Sequence, residues 1–346
     1  MRVRPDSGLK HLPLAWRSRL VMKILLTAAI VLTLGSAYAK PKIVAYVPNW
    51  INLEEFAKTI DYTKVTHLNI AFENPTDDSG ELSFNRRNKI LLEKAKSAKV
   101  KVLVSIGGGS ASGDAVLKER YFKLLADDKR ADFVKKLVAY VEKHGFDGID
   151  VDIEGPSINE DYGDFIADLA AALKPKGKLI TAALSKGYGG DRVPDAALGQ
   201  LDFLNIMAYD AKGSWNPNSP GQHSSLEFAK SATNYWLGRG VAKEKAILGV
   251  PFYGYGFGKD FRDGGFGYGD ILAKHPEAAE QDQVGETIWH NGQPTIRAKA
   301  KFVKDEGLGG VMIWSLDNDV KGEKSLLDAL HKELEAVPEA PLKPGA

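Results

Sequence analysis

Short apolar runs rich in β-branched residues recur along the chain at Ile43 to Val47, Val65 to Phe72, Val102 to Ile106, Ile149 to Glu154, Leu179 to Leu184, Phe203 to Tyr209, Ile247 to Phe252 and Val311 to Trp314. Between them lie longer segments whose apolar positions return every three or four residues, as in Asn88 to Lys99, Ala131 to His144, Tyr162 to Leu173, Leu226 to Leu237 and Ile296 to Asp305. The first pattern predicts strands and the second helices, and the two alternate throughout. Eight strand and helix units predict an α/β fold, a (β/α)8 TIM barrel. A doubly wound open sheet fits the same alternation, but eight repeats favour closure.

The connection from Phe252 to the last strand is the longest. It holds the Gly and aromatic stretch Gly254-Tyr255-Gly256-Phe257-Gly258 and the turn-like pair Asn291-Gly292, which predict a small insertion before the last strand. No linker rich in Pro, Ser or Thr divides the chain, so residues 40–336 read as one (β/α)8 catalytic domain. Residues 337–346 carry three prolines and read as a disordered tail.

At the other end, Met22 and Lys23 precede the apolar run Ile24 to Leu34, which ends in Gly35-Ser36-Ala37-Tyr38-Ala39, a small-x-small cleavage form. Residues 1–39 therefore read as a signal peptide with an upstream extension, cut near Ala39, and the product as secreted or periplasmic. The apolar run is shorter than the roughly 20 residues that cross a bilayer, so no stable membrane span is expected.

With 46 Lys and Arg against 45 Asp and Glu, the chain has no global field that would draw it to nucleic acid. It has no cysteine, which excludes disulfides, thiolate nucleophiles and thiolate metal sites, and its seven histidines show no tight ligand spacing. Neither a metal nor another cofactor is implied. A monomer acting on a neutral partner fits this balance.

The chemistry concentrates in Phe146-Asp147-Gly148-Ile149-Asp150-Val151-Asp152-Ile153-Glu154. Side chains alternate along a strand, so Asp150, Asp152 and Glu154 share one face and Ile149, Val151 and Ile153 the other. In a barrel the apolar trio packs on helices and the acids face the lumen. Three carboxyls about 7 Å apart cannot all ionise independently, so at least one holds a proton near neutral pH. Glu154, nearest the C-terminal mouth, is the candidate general acid, and Asp150 and Asp152 are expected to titrate as a pair behind it.

These residues form the complete pattern Asp-x-x-Asp-x-Asp-x-Glu, as Asp147, Asp150, Asp152 and Glu154, and here the sequence resembles glycoside hydrolase family 18, the chitinases and related endo-β-N-acetylglucosaminidases. The resemblance extends to Ala45-Tyr46-Val47-Pro48-Asn49-Trp50, His67 to Phe72, Ser105-Ile106-Gly107-Gly108, Met207-Ala208-Tyr209-Asp210, Gly249 to Gly254 and Gly310 to Ser315, in order. It departs from many chitinases in having Ile153 and Gly155-Pro156, rather than aromatic residues, around the acid. Gly107-Gly108-Gly109 lacks the following Lys-Ser/Thr of a phosphate loop, and the resemblance implies instead that glycines here let backbone pass close to the catalytic strand.

The resemblance implies a secreted enzyme that cleaves β-1,4-linked N-acetylglucosamine polymers with retention, the substrate's own 2-acetamido oxygen acting as nucleophile. Glu154 would be acid and then base, Asp152 would orient the acetamido group, Asp150 would support Asp152, and Tyr209 would hold the acetamido oxygen. Trp314 would floor the sugar site, and Met207 and Asp210 would complete its wall. Ser105, Gly107, Gly108 and Tyr253 join the expected binding set, Trp215 a neighbouring subsite, and Tyr46 and Phe72 are either substrate contacts or core. An endo-β-N-acetylglucosaminidase acting on N-glycan cores, and a chitin-binding lectin without catalysis, are the alternatives.

Overall fold

The structure is a computed structural model and describes residues 40–258 and 265–336. The expected leader, at residues 1–39, and tail, at 337–346, lie outside the described residues. The strands are β1 (Lys42–Pro48), β2 (His67–Ala71), β3 (Lys101–Gly107), β4 (Gly148–Asp152), β5 (Leu179–Leu184), β6 (Phe203–Ile206), β7 (Ala246–Pro251), β8 (Tyr253–Gly256), β9 (Gly265–Gly267), β10 (Gln283–Val284), β11 (Ile288–Trp289) and β12 (Gly310–Trp314). Strands β1 to β7 and β12 close into a parallel barrel in the order β1-β12-β7-β6-β5-β4-β3-β2. This is the expected TIM barrel.

The two faces of each strand build two separate cores. On β1, Ile43, Ala45 and Val47 join the large apolar layer between strands and helices, whereas Val44 and Tyr46 belong to a smaller cluster with Phe203, Ile247 and Met312. The helices are amphipathic to match: Asp127–His144 buries Phe133, Leu137 and Val141, and Tyr162–Leu173 buries Phe165, Ile166 and Leu169. Asp114, Ser225 and Ser325 cap helices Ala115–Leu125, Leu226–Gly238 and Leu326–Glu335 by accepting from backbone N–H groups of their first turns. No helix among the described residues is long and apolar enough to cross a membrane.

The insertion before the last strand forms a small antiparallel sheet in the order β10-β11-β8-β9. The turn-like Asn291-Gly292 leads from this sheet into helix Gln293–Glu306. A side chain at Gly292 would press within 2.6 Å of the Gln281 carbonyl, and the Asn291 side chain is spent on tertiary contacts. Four strands also end earlier than their apolar runs: β2 at Ala71, β4 at Asp152, β6 at Ile206 and β7 at Pro251. Past these ends Phe72, Glu154 and Ala208 to Asp210 lie at the C-terminal mouth, while the Met207 N–H still donates to the Leu184 carbonyl at 3.0 Å.

Candidate active site

Strand register brings the acids to their partners. Ser105 on β3 and Thr181 on β5 both lie opposite Asp150 on β4. Asp150 is fully buried and accepts four hydrogen bonds, from Tyr46 Oη at 2.5 Å, Ser105 Oγ at 2.8 Å, Thr181 Oγ1 at 2.6 Å and Asn205 Nδ2 at 3.1 Å. Burial pushes its pKa up and these donors pull it down.

Asp152, one pleat nearer the mouth, lacks such support. Its Oδ1 is buried and has no hydrogen-bond partner among the described residues. Burial, then the charges of Glu154 and Asp150, hold its pKa well above the usual carboxylate range. Asp152 thus feels the charges of both Asp150 behind it and Glu154 in front, while four donors occupy Asp150.

Glu154 lies past the end of β4 but its backbone stays extended, at φ −135° and ψ 167°, so the alternation continues and its side chain remains on the side of Asp150 and Asp152. Burial first, and then the charge of Asp210, push its pKa up to about 7. Glu154 lines a cleft of about 440 Å³ with Ser185, Tyr188, Met207, Tyr209, Asp210 and Trp215. Asp210 has a left-handed backbone, φ 61°, and its Oδ1 accepts from the hydroxyls of Tyr253 and Tyr255. The buried Tyr209 phenol, 3.8 Å from Met312 Sδ, is raised well above its ordinary pKa by burial and by Asp152, so it stays a neutral donor.

A second feature is a row of stacked rings. Trp314 at the end of β12 packs edge-on against Tyr46 at 5.3 Å and stacks on Phe72 at 5.8 Å, and Phe72 stacks on Trp50 at 6.3 Å. Trp50, Tyr188 and Trp215 are 64%, 49% and 62% exposed, which is unusual for large rings and concentrates apolar surface near the barrel mouth.

Several expected binding residues have other tasks. Ser105 and Tyr46 are buried and their hydroxyls are committed to Asp150, so both support the acid row rather than face the cleft. Gly107 and Gly108 are buried close-approach positions: a side chain at Gly107 would meet the Asp152 carbonyl at 2.5 Å, and one at Gly108 would meet the Phe72 ring at 2.4 Å. The Tyr253 hydroxyl is spent on Asp210. Asp147 sits at the opposite end of β4, where it accepts from the Val102 N–H and the Lys101 ammonium.

Sequence reasoning missed Tyr188, Trp50, Thr181 and Asn205. Tyr188 and Trp50 did carry a signal, since each is an aromatic residue in the loop just after a strand, Tyr188 among glycines. Thr181 and Asn205 are polar residues on otherwise apolar strands, a pattern that marks a lumen contact only once the register is known.

Residues 42–319 match the sequence model of Glycosyl hydrolases family 18. The chain is 28% identical over 330 residues to an endochitinase of Brugia malayi, an alignment that covers 77% of this chain and 64% of that protein. It is 27% identical to chitotriosidase-1 of Mus musculus, covering 88% of this chain and 80% of the relative. The fold superposes on the crystal structure of a chitinase from the chitin utilization locus of Flavobacterium johnsoniae with a TM-score of 0.79, at 35% identity, covering 85% of this chain and 94% of that one.

Proposed function

The chain belongs to glycosyl hydrolase family 18, and from that premise we propose that it is a secreted chitinase that hydrolyses β-1,4-linked N-acetylglucosamine chains with retention, using the substrate's acetamido group as nucleophile. The observation that carries this reading is the placement of Glu154 in the cleft at the end of the acid row, with the buried Asp152 beside it whose Oδ1 has no partner among the described residues.

A retaining glycosidase of the ordinary kind needs an ionised carboxylate as nucleophile. Asp152 is a poor one, because burial and the neighbouring acids disfavour its charge. It is suited instead to accept the acetamido N–H at its free Oδ1, so that the acetamido oxygen turns toward the anomeric carbon. Positive charge then develops on the acetamido group as the oxazolinium ion forms, and Asp152 gains a reason to ionise in the transition state that it lacks in the empty site. Asp150, held by four donors, keeps Asp152 in place.

Glu154 performs both proton transfers. With its pKa near 7 it carries a proton to give to the departing glycosidic oxygen, and as carboxylate it then takes a proton from the water that opens the oxazolinium. The Tyr209 hydroxyl holds the acetamido oxygen, Met207 and Asp210 form the wall, and Trp314 offers its face to the sugar. The row Trp314, Phe72, Trp50 suits a linear chain of like sugars better than a branched N-glycan core. Residues 1–39 would direct export and residues 40–336 act as one catalytic domain.

The test is incubation of the protein with N-acetyl chitooligosaccharides and, separately, with a high-mannose glycopeptide, followed by mass spectrometry. Shortened oligosaccharides support the chitinase reading. Release of the glycan alone would make the enzyme an endo-β-N-acetylglucosaminidase, and binding without any cleavage would make it a lectin.

A further inference from the structure

The loop after β2 contains a buried acid that the proposed reaction does not use. Glu73 is 1% exposed and directly follows Phe72, the middle ring of the aromatic row. Its Oε1 accepts from Asn49 Nδ2 at 3.0 Å, Asn85 N at 2.7 Å and Asn88 Nδ2 at 2.6 Å, and its Oε2 accepts from Ser83 Oγ. Those donors come from separate stretches of chain: the loop after β1, the segment Ser83 to Asn85, and the first turn of helix Asn88–Ser97.

The bonds converge on one place. Asn49 also donates to the Phe72 carbonyl at 2.8 Å and through its backbone N–H to Ala71 at 2.7 Å, and its own carbonyl accepts from Asn85 Nδ2 at 2.6 Å. The next residue is Trp50, which lies at the outer end of the row, beyond Phe72, and is held there with two-thirds of its surface in water. An indole so placed has little packing of its own to fix its plane. The loop that carries it is fixed instead through Asn49, from both sides, by Glu73 and Asn85.

Burying a carboxyl is costly, and a leucine of similar size would serve an apolar core better. What a carboxyl with four donors provides is a single geometry for the chain segments that meet on it. We propose that Glu73 is a positioning residue that holds Trp50 in line with Phe72 and Trp314, and so sets how long a saccharide chain the cleft can grip. The inference rests on the chitinase reading and adds a determinant of chain length to it.

Binding separates this role from plain structural support, because a loosened outer ring costs affinity only for substrates long enough to reach it. The experiment is calorimetric titration with N-acetylchitotriose and N-acetylchitohexaose, in a Glu154→Gln background so that neither is cleaved. Glu73→Leu should weaken hexamer binding about tenfold, the scale of one lost aromatic contact, and trimer binding less than twofold. Trp50→Ala should produce the same split. Glu73→Gln should restore hexamer affinity, since its amide oxygen can still accept the three N–H donors and its amide N–H can donate to Ser83.

If Glu73→Leu does not fold, Asn85→Ala, which removes the bond to the Asn49 carbonyl, takes its place with the same expected split. Equal losses for trimer and hexamer, or unchanged hexamer affinity in a folded Glu73→Leu or Trp50→Ala protein, would overturn the proposal while leaving the chitinase reading intact. Failure of the Glu154→Gln protein with native Glu73 to bind either saccharide would overturn both.

Discussion

Gly155 and Tyr188 claim the same space. A side chain on residue 155 would place its first carbon 2.1 Å from the Tyr188 ring, and the Gly155 N–H donates to the Tyr188 carbonyl at 3.2 Å. Gly155 also has φ +56°, which disfavours any other residue. The Tyr188 ring, from the loop after β5, thus occupies the space that a side chain at residue 155 would take. Gly155→Ala should displace Tyr188 or bend the chain at the catalytic acid. We expect kcat/KM on N-acetyl chitooligosaccharides to fall at least tenfold and thermal stability to drop by about 1 to 2 kcal/mol from backbone strain. Wild-type kinetics in this variant would show that the contact between them does not matter to the reaction.

Glu154→Gln keeps the size and polarity of the side chain and removes the proton it transfers. Turnover on an unactivated chitooligosaccharide should fall below about a hundredth of wild type, within the range that general acid catalysis supplies, while binding measured by calorimetry stays within a fewfold. Retention of more than a few per cent of turnover would remove Glu154 from its assigned role.

The pH profile should follow the same residue. An acid catalyst must enter the reaction protonated, so kcat/KM should decline above about pH 7, where Glu154 loses its proton. The negative charge of Asp210 helps hold that proton on. Asp210→Asn deletes the charge and should move the alkaline limb to lower pH. A limb that stays in place or moves upward would mean that another group controls it.

The barrel was legible because β1 and its counterparts are short runs apolar on both faces, with Ile43, Ala45 and Val47 on one side and Val44 and Tyr46 on the other, separated by segments of helical periodicity. Parity alone also placed Asp150, Asp152 and Glu154 together. The destinations of hydroxyls were not legible. Ser105 looked like a binding residue and Tyr46 like either a substrate contact or core; strand register places Ser105 beside Asp150, and closure of the barrel brings the Tyr46 hydroxyl across the lumen to the same carboxylate. Tyr188 escaped notice because its position depends on a missing side chain at Gly155.

Lys299 should make stability depend on alkaline pH. It is fully buried, and its ammonium donates to Ser224 O, Ser224 Oγ and Asn291 Oδ1 at 2.6 to 2.8 Å, yet burial lowers its pKa from 10.5 to about 7. Between these values the unfolded chain binds the proton more readily than the folded one, so this residue's contribution to stability rises with pH across that window, by at most about 1.4 kcal/mol per unit. Below about pH 7 its penalty is constant. In denaturant titrations the unfolding free energy of wild type minus that of Lys299→Met should therefore increase from pH 7 to pH 9.5. A constant difference would show that Lys299 keeps its ordinary proton affinity in the fold.

The reliance on the substrate's own nucleophile gives the most discriminating prediction. If Asp152 only orients an acetamido group, a substrate without that group has no reaction path, however well it binds. The enzyme should cleave N-acetylated chains and leave cellulose oligomers and fully deacetylated chitosan of equal length intact. Loss of a few contacts costs a few kcal/mol and would leave measurable turnover, whereas loss of an intramolecular nucleophile removes an effective molarity of about 10⁵ M or more. The same mechanism inverts the anomeric centre twice, so the first-formed product should be the β anomer. Proton NMR within the first minutes, before mutarotation mixes the anomers, reads this directly. An α anomer appearing first, or cellulose oligomers cut at a comparable rate, would show that a protein carboxylate or water attacks instead, and Asp152 would then need a different role.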